Sequence, residues 1–325
     1  MQELEWDAGR GVWIAAGSAL VEEVLGHPAL RVRPPTEAVP QALAGGSAGE
    51  VFGALVRMND GERHAVPKLA LQRALAACAH SVARARAHEV AGRLLAQGSA
   101  FGAWTFAAPV STVASLLGFS DAQLPAVARW MGHFVACLSP LSSAAQIDAA
   151  HAASLRLLAA MRELLQAAPA GSLAAAVAHE AQAAGWNHDH AVLANLVGLL
   201  SQTYEASAGL LGNCLVAIQH GADRSDAARL AAQVMLADPP ILNTRRFAAE
   251  RCQVAGVTVE AGQAILVMLG DAQRGFGHGR HACPGQQLAL QIAAGCLEAL
   301  GGTPLPQLTW TYRASLNARI PEFQQ

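Results

Sequence analysis

The stretch Phe276-Gly277-His278-Gly279-Arg280-His281-Ala282-Cys283-Pro284-Gly285 constrains this chain more than any other, and it runs directly into the apolar, helix-forming Gln286-Gln287-Leu288-Ala289-Leu290-Gln291-Ile292. Closely spaced glycines make a tight loop. The proline at its end suits the first position of a helix, where its missing N–H costs nothing. That places Cys283 beside a predicted helix N-terminus, where unpaired N–H groups and the positive end of the helix dipole favour a thiolate. A thiolate held in this way is a soft anionic ligand suited to iron. Taken alone, a cysteine before a helix reads as a buried structural thiol on a glycine turn, so the residues around it have to decide.

Composition narrows the choice. With 325 residues, 53% of them hydrophobic, the chain can bury a sizeable core, although length does not fix the number of domains. A net charge of −2 and 14% charged residues give no basic excess that would draw nucleic acid. The six cysteines, Cys78, Cys137, Cys214, Cys252, Cys283 and Cys296, lack paired metal spacing. They read as reduced thiols with neither a zinc site nor a disulfide framework. The opening Met1-Gln2-Glu3-Leu4-Glu5-Trp6-Asp7 is acidic where a signal peptide would be basic and then apolar. No apolar run reaches the roughly 20 residues a membrane helix needs. A cytoplasmic protein without membrane contact is the expectation.

In chain order, Gly11 to Ala16 reads as a short strand, and Ser18 as the cap of an amphipathic helix through Leu25 that ends before Gly26. Arg31 to Gly49 has no period and reads as loop. Arg57 to His64 is a turn followed by helix, with His64 and Lys68 four apart on one face; by themselves they read as a solvated basic face. Pro67 suggests that this helix starts only there. From Cys78 to Ala184 the sequence is helical in character, broken at Gly118 to Asp121, Ser139-Pro140 and Pro169 to Gly171, with Ser120 or Asp121 and Ser172 as caps. No repeat of fixed period is visible. One long helix is predicted from Asp189 to Ile218, roughly 45 Å if unbroken. Within its apolar surroundings Gln202, Thr203, Tyr204 and Glu205 are conspicuous, either facing water, forming a satisfied buried network, or serving a site. Further on, Ala227 to Leu236 reads as helix, and Val254 to Val259 and Ala264 to Leu269 as strands.

Phe276 to Gly285 resembles, nearly letter for letter, the heme-ligand loop of the cytochrome P450 superfamily, in which an aromatic, spaced glycines, a basic residue and Cys-x-Gly recur. The resemblance runs from about Val12 to Leu305. It implies a mainly α fold, helix-rich with small β-sheets, forming a single heme domain over 1–325 in a shortened member of the soluble bacterial kind. Part of the N-terminus and the irregular meander segment before the cysteine loop would be lacking. Heme b (iron protoporphyrin IX) would be held by Cys283 as the axial metal ligand, with Phe276, Gly277, His281 and Gly285 shaping the loop.

The resemblance assigns further roles. His64 matches a family His-x-x-x-Arg that donates to a heme propionate, with Lys68 in place of the Arg, a point charge for a fork. Arg246 and His281 match two other propionate donors, and buried carboxylates need such partners. Leu199 to Ser207 is similar to the oxygen-binding helix, where Ala-Gly-x-Glu/Asp-Thr passes over the heme. Here Gln202-Thr203 replaces Ala-Gly, Glu205 keeps the acid, and Ala206 replaces the Thr. Each residue turns by about 100°, so Ser207 cannot supply the lost hydroxyl, while Thr203 lies about 60° away and one turn earlier. The family's Glu-x-x-Arg is also gone, with Gln233 and Leu236 in its places. Losing it together with the meander Arg that pairs with it leaves no lone charge behind.

Three functions follow from the resemblance. One is a monooxygenase acting on a small or medium apolar substrate, with electrons from a ferredoxin or flavoprotein. A second is a heme-thiolate enzyme doing other work, such as peroxide-dependent oxidation, rearrangement or dehydration, with Glu205 and either Gln202 or Tyr204 acting on the substrate; across these readings Glu205, Thr203 and Gln202 are the candidate catalytic residues. The third is a P450-like protein that binds without turnover.

Overall fold

The computed structural model describes residues 4–167, 169–302 and 305–324. The first three residues of the acidic opening lie outside the described range. A hairpin of β1 (Glu5–Asp7) and β2 (Val12–Ala15) leads into α1 (Ser18–Gly26), and β3 (Leu30–Arg31) follows. After a 3-10 turn at Gln41–Leu43 come α2 (Ser47–Ala54), a second 3-10 turn at Val56–Met58, and α3 (Glu62–Ala76). The helices α4 (His80–Ala96), α5 (Phe101–Leu117), α6 (Leu124–Ala136), α7 (Ala144–Ala167), α8 (Leu173–Ala183), α9 (Asp189–Gln219) and α10 (Ala227–Ala237) make up the middle of the chain. Four strands follow: β4 (Asn243–Ala248), β5 (Cys252–Val254), β6 (Val257–Val259) and β7 (Ala264–Met268). The glycine loop, with a 3-10 turn at Gly279–His281, then enters α11 (Gln286–Glu298), and β8 (Thr309–Tyr312) and β9 (Pro321–Gln324) close the chain. The expected mainly α fold with small sheets is what forms.

Most of the expected helix boundaries hold for identifiable reasons. α5 stops at Gly118, whose φ of 116° is left-handed. There the Phe119 N–H reaches back to the Ala114 carbonyl at 3.1 Å, satisfying a carbonyl of the last turn. Ser172 caps α8, its Oγ accepting from the Ala175 N–H at 3.2 Å. Ser120 and Asp121 do not cap α6: Ser120 bonds the Gln123 side chain, and the Asp121 carboxylate is taken by Arg86 and Arg93. Ser18 is the first residue of α1 and Gly17 stands at its N-cap. Arg31 to Gly49 is not all loop, because α2 begins at Ser47, where Gly49 packs against the Leu43 backbone. Pro67 does not start α3 but lies inside it, since the N–H groups of His64 and Ala65 already bond the Gly61 carbonyl at 3.1 and 2.9 Å. At that position proline forfeits a single bond, to Arg63 one turn back. Pro284 precedes its helix rather than opening it; α11 begins at Gln286 with Gly285 at the N-cap.

Beside a small one of Phe106, Ala208, Ala318 and Ile320, two large packed regions result among the described residues. The larger is helical, surrounding α9, whose Leu196, Val197, Leu200, Leu211, Cys214 and Leu215 are fully buried. The smaller lies under a five-stranded sheet of order β1-β2-β7-β4-β3, in which β2 and β7 are parallel and β4 pairs antiparallel with β7. Alternation along β4 turns Arg246 and Ala248 inward and leaves Arg245 exposed. The helix behind the cysteine loop is held by close contact between α11 and α4. Gly295 has room only for hydrogen, because an added methyl would overlap the Arg84 carbonyl oxygen and come within 2.8 Å of Ala87 Cβ.

This contact is expected to be sensitive to volume. Gly295→Ala should lower stability in urea denaturation by about 1–3 kcal/mol through overpacking. Gly92→Ala, in open space on α4, should raise it by about 0.5–1 kcal/mol. Equal effects of the two changes would contradict the close-contact account.

Candidate functional site

The glycine loop folds on itself before it meets anything else. Gly277 and Gly279 take φ values of 74° and 63°, which side-chain-bearing residues rarely adopt. The Gly277 N–H donates to the Arg274 carbonyl at 2.7 Å, and the Cys283 N–H to the Phe276 carbonyl at 2.8 Å, bringing the two ends of the loop together. Arg274 is anchored by Glu22 of α1, its Nε donating at 2.8 Å. The Arg280 guanidinium donates to the carbonyls of Gly26, His27 and Leu30 at 3.2, 3.1 and 2.6 Å, satisfying backbone acceptors at and beyond the end of α1. Cys283 emerges from this scaffold exposed, its thiol pushed upward by burial of its surroundings and drawn down by the Gly285 N–H and Lys68. The thiolate preference expected from the helix terminus is thus outweighed by desolvation in the protein alone.

α3 lies along the loop. His64, 4% exposed, packs its ring on His281 with centroids 4.0 Å apart. Lys68 is also buried, and its Nζ donates to the Ala282 carbonyl, next to the cysteine. Asp60 completes the cluster. Its carboxylate accepts from the Val32 N–H at 2.9 Å, lies 3.1 Å from His281 Nε2 and 3.7 Å from Arg280 Nε. Burial would raise Asp60, but its bonds to His281 and Val32 and the charges of His281 and Arg280 bring it down to about 2. Burial carries His64 down to about 4, helped by His281 and Lys68.

Arg246 enters this cluster from β4 and is 4% exposed. One Nη donates to the Arg245 carbonyl at 2.9 Å, and its Nε is buried with no hydrogen-bond partner. Burial draws it down to about 10, with Asp60 opposing and Arg280 adding repulsion. Two guanidiniums therefore share one carboxylate, leaving a positive charge uncompensated even with both imidazoles neutral. A ligand carrying carboxylates beside Cys283 fits this donor set, because buried charge is stable only when paired.

On α9 the four conspicuous residues separate. Gln202 is exposed, and its Nε2 donates to the Gly198 carbonyl at 3.1 Å. The Thr203 hydroxyl donates to the Leu199 carbonyl at 2.8 Å. Tyr204 packs on Phe106 with centroids 5.0 Å apart. Glu205 is partly exposed, pairs with Arg313 at 3.6 Å, and is raised by burial against the pull of Arg313 and Arg57. Neither the water-facing nor the network reading describes all four. Sequence reasoning missed Asp60, Arg57, Arg280 and Arg313. Asp60 stands four residues before His64, a spacing that offered a signal; the other three depend on contacts distant in sequence.

No protein-family model and no curated protein matches the sequence. Solved structures match it over nearly its whole length. The heme domain of a Tepidiphilus thermophilus P450 is similar at a TM-score of 0.83 and 15% identity, covering 98% of this chain and 89% of that one. P450BioI, solved with an acyl carrier protein ligated to hexadec-9Z-enoic acid, is similar at 0.81 and 17%, covering 96% and 91%. CalO2 is similar at 0.79 and 19%, covering 98% and 90%. The chain has the cytochrome P450 fold. Among the described residues no helix is long and apolar enough to cross a membrane.

A pH dependence follows from His64. Its folded value lies below that of an unfolded histidine, so the unfolded chain binds more protons between about 4 and 6.5 and stability falls as pH drops through that window. Urea denaturation of the chain purified without cofactor should lose about 3 kcal/mol there on account of this residue. His64→Gln should flatten that part of the profile; an unchanged slope would contradict the assignment.

Proposed function

We propose that this protein is a heme-thiolate oxidoreductase that binds heme b through Cys283 and places one oxygen atom into a small or medium apolar substrate. The observation that carries the reading is Arg246, a buried guanidinium with an unpartnered Nε in the cluster beside an exposed cysteine. Arg246, His64 and His281 would hold the heme propionates. Lys68, matched by resemblance to a propionate donor, is bonded to Ala282 and would instead fix the loop's backbone beside the ligand. When bound, the heme supplies redox chemistry at iron, with electron density from the thiolate favouring O–O cleavage.

The chain's own residues divide the remaining work. The Phe276 carbonyl and the Gly285 N–H hold Cys283 from both sides. Phe276 and the glycines Gly277 and Gly285 keep the loop in its tight path. Glu205, whose carboxyl burial raises above its ordinary value against the pull of Arg313 and Arg57, is suited to hold and pass a proton on the α9 side. Thr203 can accept a hydrogen bond there while its own proton stays on Leu199. Electrons would come from a ferredoxin or flavoprotein, and the protein would work in the cytoplasm as a single heme domain.

One observation favours a second reading. The side chains of Gln202 and Thr203 both turn back onto carbonyls of their own helix, and Ala206 offers no hydroxyl. A peroxide-dependent oxidation, rearrangement or dehydration does not need that hydroxyl. A binding protein without turnover is the third possibility, to be separated by the same assays.

The reduced, carbon monoxide-bound protein should show the Soret band of a thiolate-ligated heme, and Cys283→Ala should abolish it. Absence of heme after expression with a heme precursor would overturn the reading. Turnover that requires dioxygen and a reductant supports the monooxygenase; turnover with peroxide, or with neither, supports the second reading. Glu205→Gln is expected to slow turnover by about 10²-fold or more while leaving heme content unchanged.

A further inference from the structure

Arg57 is a second guanidinium short of partners, and it lies outside the Arg246 cluster. It sits in the 3-10 turn Val56–Met58, a segment pinned to α9 from both sides. Asn195 Oδ1 accepts from the Val56 N–H at 2.8 Å, and Asn195 Nδ2 donates to the Ala54 carbonyl at 2.9 Å. Gly198 allows the close approach, because a methyl there would come within 2.8 Å of Leu55 Cδ2. Arg57 is therefore placed by fixed backbone rather than by a flexible loop.

Its surroundings do not satisfy it. Arg57 is partly buried, its Nε is buried without a hydrogen-bond partner, and its charged neighbour is Glu205 on α9. Burial draws it down to about 10 against the opposing charge of Glu205. Glu205 is itself engaged by Arg313, whose Nε bonds Glu322 at 2.7 Å and whose guanidinium lies 4.6 Å from the centre of the Phe106 ring. Arg313 thus has its partners, while Arg57 keeps an Nε with no acceptor. Asp60, the carboxylate of the Arg246 cluster, makes its hydrogen bonds and ion pairs with Val32, His281 and Arg280, and none with Arg57.

We propose that Arg57 binds the carboxylate of the substrate, so that the protein acts on apolar monocarboxylic acids whose hydrocarbon part lies along α9. A guanidinium matches a carboxylate with two parallel hydrogen bonds. A guanidinium that already faces Glu205 and keeps one N–H without an acceptor suits a monoanion; a phosphate dianion would meet stronger repulsion from Glu205. The proposal rests on the heme-thiolate reading for its reaction, but the binding site itself does not require heme.

The test is a calorimetric titration of the heme-loaded protein with straight-chain fatty acids of eight to sixteen carbons, their methyl esters and the matching alkyl phosphates. The free acid should bind on the order of 10- to 100-fold more tightly than its ester at the preferred length. Arg57→Gln should remove that preference and Arg57→Lys should retain part of it. Equal affinity of acid and ester, a preference for the phosphate, or no binding of any acid would overturn the proposal. Arg57→Met, which removes a guanidinium whose buried Nε has no partner, should leave Tm at or above the wild-type value; a marked fall would assign Arg57 to the fold instead. Chain that takes up no heme yet keeps an Arg57-dependent preference for acids would retire the heme reading and keep the acid site. Heme-loaded protein without the preference would do the reverse.

Discussion

A guanidinium taken out of water needs an anion, and the organisation around Arg246 follows from that requirement. Alternation along β4 turns its side chain inward, and antiparallel pairing with β7 fixes its depth by setting it opposite Ile265. The protein supplies one carboxylate nearby, Asp60, which is already engaged by His281, Arg280 and the Val32 backbone. The positive charge that remains is an energetic cost in the protein alone and becomes an attraction once a ligand brings carboxylates. Stability and binding are therefore opposed at this site, as expected where a fold holds a group in readiness.

The cysteine loop depends on the same cluster and on the helices around it. Its glycines supply the backbone conformation, Arg274 and Arg280 fasten it to α1 and the backbone beyond, and Lys68 and His64 press α3 against its other side. α11 leaves the loop and is held against α4 through Gly295, where no side chain fits. Cys283 is thus positioned by three separate elements. A thiol raised by desolvation in this setting would become a stable thiolate only against a strong positive charge, which iron would provide.

How much of this could be read from the sequence depended on distance along the chain. The long helix from Asp189, the strand beginning at Ala264, the glycine loop and the Ser172 cap were all legible, because each rests on local periodicity or a local hydrogen bond. Boundaries decided by competition were not. Pro67 fell within α3 because the Gly61 carbonyl had already gathered two N–H groups, and Asp121 left its capping role because two arginines from α4 reached it. At the site, the neighbourhoods of Cys283, His64 and His281 were legible as a motif. The orientation of Lys68 toward Ala282, and the roles of Asp60, Arg280 and Arg57, depend on contacts between segments that sequence spacing does not reveal.

Cofactor binding and reaction fall to different residues in the proposed function. There the cationic cluster would decide what is bound beside Cys283, whereas Gln202, Thr203, Glu205 and Ala206 would bear on what is done to the substrate. The central claim concerns the first, and it is tested most directly by titrating the cofactor-free chain with heme b and with heme b dimethyl ester, in which both propionates are masked. Heme b should bind on the order of 100-fold more tightly than its ester, and Arg246→Met should erase most of that difference. Equal affinity for the two, in the wild-type chain, would contradict the assignment of Arg246, His64 and His281 to the propionates.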